Sequence, residues 1–144
     1  MKIWFDMDGT LADFYGVADW LPALIAEDTR PYEIAKGIGN LALIARLLNK
    51  AQKNGHEIGI ISWTSKNGTA EYNARVAKAK KVWLGKHFAS VKWNEIKVEE
   101  YGTNKYMTCG GGILFDDEEG NRTTWGKGAY KPAEIVEVLK GLTR

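Results

Sequence analysis

Residues 3–10 read Ile3-Trp4-Phe5-Asp6-Met7-Asp8-Gly9-Thr10, an apolar run that ends in two carboxylates. The apolar run predicts a short buried strand. Charge at the end of a buried strand is costly to desolvate, so Asp6 and Asp8 either cap a strand–loop junction or bind a compensating partner, for which a divalent cation is well suited. Gly9 would let the backbone approach a bound oxyanion closely, and Thr10 supplies a hydroxyl group. The stretch therefore predicts a ligand site at the end of the first strand.

The composition is that of an ordinary globular protein. The chain has 144 residues, of which 44% are hydrophobic and 26% charged, and this predicts a single domain over residues 1–144. The formal net charge of +2 is too small for a general nucleic-acid-binding surface. We interpret the local cluster of Lys78, Lys80, Lys81 and Lys86 as the solvated face of a helix. The single cysteine, Cys109, rules out an internal disulfide, as is common in reducing compartments.

The sequence shows no signs of membrane insertion or export. No apolar stretch approaches the length of a membrane span. The first residues lead into a strand and do not have the layout of a signal peptide. We therefore expect a cytoplasmic protein with no membrane partner.

Predicted strands and helices alternate along the chain. The alternation predicts an α/β fold with a doubly wound parallel sheet and helices on both faces. In such sheets the ligand lies beyond the carboxyl ends of the strands, where the strand order switches. The predicted strands cover residues 2–5, 57–61, 93–98 and 110–115, and the predicted helices cover 19–25, 40–55, 69–84 and a last stretch opened by Pro132.

Polar residues follow three of these strands. Asp6 and Asp8 follow the first, Ser62 is the first of several hydroxyl residues after the second, and Asp116-Asp117-Glu118-Glu119 follows Ile113-Leu114-Phe115. The acidic run is either an exposed turn or part of a site, and the apolar residues before it favour a site. Because parallel strands end at the same edge of the sheet, the three segments should converge.

Asp6-Met7-Asp8-Gly9-Thr10 matches a DxDGT pattern, and it resembles the signature of the haloacid dehalogenase-like (HAD) superfamily of aspartate-nucleophile phosphotransferases. The longer stretch FDMDGTLADF, from Phe5 to Phe14, is similar to the start of the 5'(3')-deoxyribonucleotidase-like branch. The resemblance spans nearly the whole chain in motif order. It implies a Rossmann-like HAD core that hydrolyses phosphate monoesters through an aspartyl-phosphate intermediate.

The resemblance also implies a role for each candidate catalytic residue. Asp6 would be the nucleophile, and Asp8 the general acid that later activates water as a base. Ser62 matches the second motif, a hydroxyl that binds the phosphoryl oxygens, and Thr64 is its rival. Lys105 is the preferred third-motif lysine, which steadies the charge of nucleophile and phosphate. Lys80 and Lys81 are alternatives in the middle of a predicted helix.

The implied cofactor is Mg²⁺. Asp116 would complete its site with Asp6 and the main-chain carbonyl of Asp8, while Asp117 would orient a metal-bound water or share the ligation. Mg²⁺ prefers octahedral oxygen coordination and retains several waters. Four carboxylates in one pocket would repel one another strongly without a cation, so we expect the metal to be needed.

Residues 14–39 are too few for a separate domain, and we predict a small helical flap, or minimal cap, beside the nucleophile. Its large apolar residues either line the rim of the pocket or anchor the flap to the domain. An apolar rim would suit a base or an aromatic leaving group. These residues are Phe14, Tyr15, Trp20, Leu21 and Tyr32.

The leading functional hypothesis is a Mg²⁺-dependent phosphatase for a phosphorylated small molecule, with a nucleoside monophosphate as the candidate substrate. An uncovered site would also admit nucleic-acid 3'-phosphates or phosphoproteins, so nucleic acid enters as a substrate only. A receiver-like signalling module is the main non-catalytic alternative, but its phosphorylated aspartate belongs on a middle strand, and here residues 58–61 lead into Ser62. A degraded, non-catalytic binding protein is disfavoured because all the expected catalytic groups are present.

Overall fold

The computed structural model describes all 144 residues and contains one five-stranded parallel sheet. The strands lie in the order β3-β2-β1-β4-β5. The chain therefore starts in the centre and extends first to one side and then to the other, which confirms the predicted doubly wound α/β fold. The strands are β1 Lys2–Phe5, β2 Glu57–Trp63, β3 Glu95–Glu99, β4 Ile113–Phe115 and β5 Ala129–Tyr130.

Seven α-helices and two short 3-10 turns connect and cover the strands. The helices are α1 Trp20–Ile25, α2 Arg30–Ile34, α3 Leu41–Lys53, α4 Ala70–His87, α5 Lys105–Cys109, α6 Glu119–Trp125 and α7 Ile135–Leu142, and the 3-10 turns cover Phe14–Gly16 and Pro132–Glu134. Side-chain caps begin the two longest helices: Asn40 accepts from the Leu43 amide at 3.1 Å, and Thr69 accepts from the Tyr72 amide at 3.1 Å. No helix is both long and apolar enough to span a membrane.

Both faces of the sheet are buried, because successive side chains of a strand point to opposite faces. Ile3 and Phe5 join the main core, which includes buried residues of α3 and α7. Trp4 points to the other face and packs with Cys109 of α5 and Trp125 of α6. Helices on both faces follow from this arrangement, as the sequence predicts.

The segment 14–39 packs on α4. Phe14 and Tyr32 are buried in a cluster with the α4 residues Tyr72, Val76 and Ala79. Polar contacts add to this packing: the Thr69 amide and hydroxyl donate to the Glu27 carboxylate at 2.8 and 3.0 Å. The segment is thus held against one helix beside the carboxyl ends of the strands.

Several predicted boundaries differ from the structure. β3 starts at Glu95 instead of residue 93, because the Ile58 amide just before the paired region donates to the Asn94 side chain at 2.8 Å and not to a strand carbonyl. Helix α4 continues to His87 instead of ending at residue 84. Asp19 precedes α1 as expected but makes no side-chain cap, since it adopts a positive φ of 61°. Helices α5 and α6 and strand β5 were not predicted.

Candidate active site

The register of the sheet brings the polar strand ends together. Phe5 is paired with Phe115, and the Asp6 amide donates to the Phe115 carbonyl at 2.9 Å, so Asp6 and Asp116 lie side by side beyond adjacent strands. On the other side Phe5 is paired with Ile60, which places Ser62 near the end of β2. Adjacent strands are about 4.8 Å apart, so groups at neighbouring strand ends can share a ligand.

Lys105 bridges two of the carboxylates. Its Nζ lies 2.9 Å from Asp6 Oδ1 and 2.7 Å from Asp116 Oδ2, and all three side chains are buried. Asn104 places it there by capping α5, accepting from the Met107 amide at 3.0 Å, so that Lys105 is the first helical residue. Burial acts to lower the pKa of Lys105, but the carboxylates of Asp6 and Asp116 outweigh it and raise the pKa. The ammonium therefore stays charged at neutral pH.

Asp116 is the most enclosed carboxylate of the site. It is fully buried, and its Oδ1 accepts from the Glu118 amide at 3.0 Å while its Oδ2 accepts from Asn121 at 3.2 Å. Burial and the nearby Asp6 carboxylate raise the pKa of Asp116 to about 6. The same two causes raise the pKa of Asp117 to about 8. Both pKa values are thus raised first by burial and then by the neighbouring negative charge.

Gly9 makes room for Asp117. It has a φ of +82°, which favours glycine, and a Cβ at this position would collide with the Asp117 carboxylate. The sequence predicts that Gly9 lets the backbone approach an oxyanion, and the structure shows that the space is taken by a carboxylate of the same chain. Any residue with a side chain here would displace Asp117 from the acidic cluster.

The acidic cluster fits a divalent cation in both donors and charge. Asp6, Asp116 and Asp117 each offer a carboxylate oxygen, and these oxygens lie within 4.8 Å of one another. The wider site holds four carboxylates and two ammonium groups, so with every group ionised it has two negative charges in excess. Oxygen ligands and this excess charge suit Mg²⁺. The groups counted are Asp6, Asp8, Asp116, Asp117, Lys80 and Lys105.

Lys80 belongs to the site, so its interpretation as part of a solvated helix face is wrong. Its side chain is 1% exposed, and its Nζ lies 3.0 Å from Asp8 Oδ2 and 2.7 Å from Ser62 Oγ. The physical reason is the helical period, because Lys80 shares the inward face of α4 with Val76 and Trp83. The other lysines of the cluster, Lys78, Lys81 and Lys86, are exposed as expected.

Asp8 lies apart from the other carboxylates, on the Lys80 side of the pocket. Burial raises its pKa, Lys80 opposes the shift, and Asp6 adds to it. The raised pKa favours the protonated form that a general acid needs. In contrast, Asp6 is held by two donors: Lys105 on Oδ1, and on Oδ2 the Thr10 hydroxyl at 3.1 Å.

The pocket above these groups has a volume of about 120 Å³. Its floor contains Asp6, Asp8 and Ser62, and residues of the 14–39 segment form one wall. A wider groove of about 410 Å³ adjoins it and shares Lys105 and Trp63 with it. The wall residues are Phe14, Tyr15, Trp20, Leu24 and Tyr32.

The structure thus brings all six predicted site residues to one edge of the sheet. Asp6, Lys105, Asp116 and Asp117 form one group, and Asp8 and Ser62 form a second group around Lys80. Sequence reasoning named Lys80 only as an alternative to Lys105, and it did not name Asn121 or Arg122. The Arg122 guanidinium donates to the Asp116 carbonyl at 3.0 Å. The helical spacing of Lys80 from Val76 and Trp83 was a usable signal. Arg122 and Asn121 lie on a helix too short to show a period.

Comparison with known proteins supports the fold. No protein-family model matches the chain, and no curated protein matches its sequence. The structure is similar to the crystal structure of D,D-heptose 1,7-bisphosphate phosphatase from Burkholderia thailandensis, with a TM-score of 0.52 over 96% of this chain and 97% of that one. The identity of 9% means that the similarity shows the fold alone. It agrees with the doubly wound α/β core seen here and gives no support to the deoxyribonucleotidase-like branch.

Proposed function

We propose that this protein is a Mg²⁺-dependent phosphatase that hydrolyses phosphate monoesters through an aspartyl-phosphate on Asp6. The observation that carries the proposal is the buried Asp6–Lys105–Asp116 bridge, with distances of 2.9 and 2.7 Å, at the floor of a pocket that also presents Asp8 and Ser62. A nucleophile, a phosphoryl-binding cation and hydroxyl, and a proton donor are the groups that phosphoryl transfer requires.

In the first step an Asp6 carboxylate oxygen attacks phosphorus, and the bond from phosphorus to the leaving oxygen breaks. Asp8 gives its proton to that leaving oxygen. The raised pKa of Asp8, due first to its burial, favours the protonated acid before this step. Lys105 and Ser62 stabilise the charge on the phosphoryl oxygens.

In the second step water attacks phosphorus, the Asp8 carboxylate takes the proton of that water, and the bond between phosphorus and Asp6 breaks. Inorganic phosphate and the original enzyme result, so Asp8 alternates between acid and base. Mg²⁺, held by Asp6 and Asp116 with Asp117 as a direct or water-mediated ligand, would neutralise phosphate charge when bound. Asp8 would add its main-chain carbonyl to that site.

The test is steady-state release of inorganic phosphate from an aryl phosphate with Mg²⁺, in the wild type and in Asp6→Asn. We expect turnover that excess chelator abolishes and that the substitution lowers by about a thousandfold or more, since the nucleophile is lost. Glu119→Gln is the matched control, because Glu119 lies in the same acidic run but is exposed. Undiminished turnover in chelator would remove the metal from the proposal. Absence of turnover in the wild type would favour a receiver-like or other binding protein.

A nucleoside monophosphate is the substrate that we propose in particular. The 14–39 wall presents Tyr15 and Trp20 next to the phosphate-binding floor, and Tyr15 is 48% exposed. Their rings lie 5.0 Å apart and nearly perpendicular. An exposed aromatic wall beside a phosphate site suits a flat, apolar leaving group better than a sugar phosphate.

The groove beside Lys105 supports a second candidate, a nucleic-acid 3'-phosphate. Trp63 and Tyr101 line both the pocket and the groove, with ring centroids 5.0 Å apart, and Tyr101 is 48% exposed. Aromatic side chains along a groove stack with successive bases. The test compares kcat/KM for a nucleoside 3'-monophosphate and a 3'-phosphorylated oligonucleotide. The second candidate requires a higher value for the oligonucleotide and its loss in Tyr101→Ala.

A further inference from the structure

Lys80 is a buried ammonium group that the phosphatase steps above do not use. Its Nζ donates to Asp8 Oδ2 at 3.0 Å, to Ser62 Oγ at 2.7 Å and to the Trp63 carbonyl at 2.7 Å. An ammonium group can donate three hydrogen bonds and accept none, so these three bonds engage all of its hydrogens. Lys80 does not line the pocket, and it therefore acts through the groups that it holds.

The contact with Lys80 determines how Ser62 can hydrogen-bond. Ser62 Oγ accepts a hydrogen bond from Lys80 Nζ, and the Ser62 hydroxyl donates to no acceptor of the protein. Since a hydroxyl has one hydrogen to donate, that hydrogen is available to the pocket that Ser62 lines. An oriented donor toward a phosphoryl oxygen is worth more than a free rotor, because it needs no reorganisation during the reaction.

Lys80 also connects two segments that are far apart in the sequence. Asp8 lies in the turn after β1, whereas Ser62 and Trp63 end β2, so one ammonium group fixes the acid relative to the phosphoryl-binding hydroxyl. Lys80 donates to Asp8 Oδ2, so Asp8 Oδ1 remains free to contact the leaving oxygen of a substrate. From the flap, the Tyr32 ring covers Nζ at 5.3 Å and separates it from solvent.

We propose that Lys80 is a positioning residue, which holds the Ser62 hydroxyl as a donor to the phosphoryl group and the Asp8 carboxyl toward the leaving oxygen. This inference rests on the phosphatase function proposed above. It assigns Lys80 a role different from that of Lys105, which contacts the nucleophile and Asp116.

The test is a double-mutant cycle with Lys80→Met in the wild type, in Ser62→Ala and in Asp8→Asn. We expect Lys80→Met to lower kcat by about tenfold or more in the wild type and by less than about threefold in each of the other two backgrounds, since coupled residues are not additive. The loss in kcat/KM, which reports formation of the aspartyl-phosphate, should also be larger for an alkyl phosphate than for a nitrophenyl phosphate, which a merely structural role would not produce. Lys81→Met, at an exposed neighbour, is the control.

Equal losses from Lys80→Met in all three backgrounds would overturn the inference. Lys80→Gln retains an N–H donor and should be more active than Lys80→Met. It replaces Lys80→Met in the cycle if the methionine variant does not fold. Failure of both variants to fold would also overturn the inference, because Lys80 would then stabilise the fold and not the site. The same cycle measured on binding of inorganic phosphate with Mg²⁺ needs no turnover. A wild type without turnover would therefore contradict the phosphatase proposal, while this inference is judged on phosphate binding.

Discussion

Lys105 neutralises the two most central carboxylates of the site. If Lys105→Met is introduced, Asp6 and Asp116 lose their shared buried partner, and we expect a loss of about 3 kcal/mol or more in the free energy of unfolding without metal. Mg²⁺ should restore part of this loss, since it supplies positive charge at the same carboxylates. Urea unfolding with Mg²⁺ and with chelator measures both effects. Lys81→Met is the control, and equally small changes in both variants would contradict the charge-balancing role.

Asp8 is expected to act on the leaving group. Asp8→Asn removes the proton that the leaving oxygen receives, so its effect on kcat/KM, which reports formation of the aspartyl-phosphate, should be large for an alkyl phosphate and small for a nitrophenyl phosphate, whose leaving group needs no acid. We expect the two penalties to differ by about tenfold or more. Asp13→Asn is the control, because Asp13 follows Asp8 by five residues in the chain after β1 but is exposed. An equal penalty for both substrates would contradict the assignment of Asp8 as the acid.

At the scale of elements, the sequence predicts those segments that are long or strongly patterned. Helices α3, α4 and α7 carry a helical apolar period, and β1 and β2 are short apolar runs with polar residues at their ends, so these elements were predicted. Helices α5 and α6 and strand β5 have five, seven and two residues, which is too few for a period to be recognised. Helices α5 and α6 pack against the face of the sheet that contains Trp4, and β5 forms by pairing with β4.

The candidate site was predictable where a residue type and a strand end coincide. Asp6, Asp8, Ser62 and Asp116 all follow or end apolar strands, and parallel topology then requires them to meet. Lys105 was named from the family resemblance, since a single lysine after a turn has no pattern of its own. Lys80 was misjudged because three exposed lysines surround it, and only the face of α4 on which it lies distinguishes it from them.

The flap wall is expected to recognise the leaving group. Tyr15→Ala or Trp20→Ala should raise KM for nucleoside monophosphates by about tenfold and leave KM for a small alkyl phosphate almost unchanged, because stacking of a base on an aromatic ring contributes roughly 1–3 kcal/mol. Leu21→Ala provides the control, since Leu21 is exposed on the same flap but does not line the pocket. The buried Phe14 and Tyr32 serve as anchors and should lower stability when truncated. Equal effects of Tyr15→Ala on both substrates would leave only a packing role for this side chain.

Over the whole molecule, opposite charges are distributed unevenly. The net charge of the chain is +2, yet the floor of the pocket has an excess of carboxylates over ammonium groups. The sheet topology produces this concentration, because acidic residues from separate strands end at one edge. Charge repulsion there opposes folding in the metal-free protein, so folding stability and metal binding should be linked.

This linkage predicts an unusual dependence of stability on pH. The pKa of Asp116 is raised to about 6 and that of Asp117 to about 8, in both cases first by burial and then by Asp6. Because their folded-state pKa values exceed the ordinary value of 3.8, the folded protein binds more protons than the unfolded chain, and stability should fall as the pH rises from about 4 to 8. The raised pKa of Asp8 acts in the same direction.

Mg²⁺ should reverse this trend, since it binds the ionised carboxylates. We expect the melting temperature in chelator to decrease between about pH 5 and pH 8, and the increase caused by Mg²⁺ to be larger at the higher pH. Thermal unfolding at both pH values, with Mg²⁺ and with chelator, measures the effect. Of the two aspartates that follow β4, Asp117 has the more strongly raised pKa. Asp117→Asn should therefore flatten the decrease of the melting temperature with pH in chelator. A melting temperature that rises with pH in chelator would mean that the crowded carboxylates do not titrate within this window. A Mg²⁺ effect of equal size at both pH values would mean that they do not form the metal site.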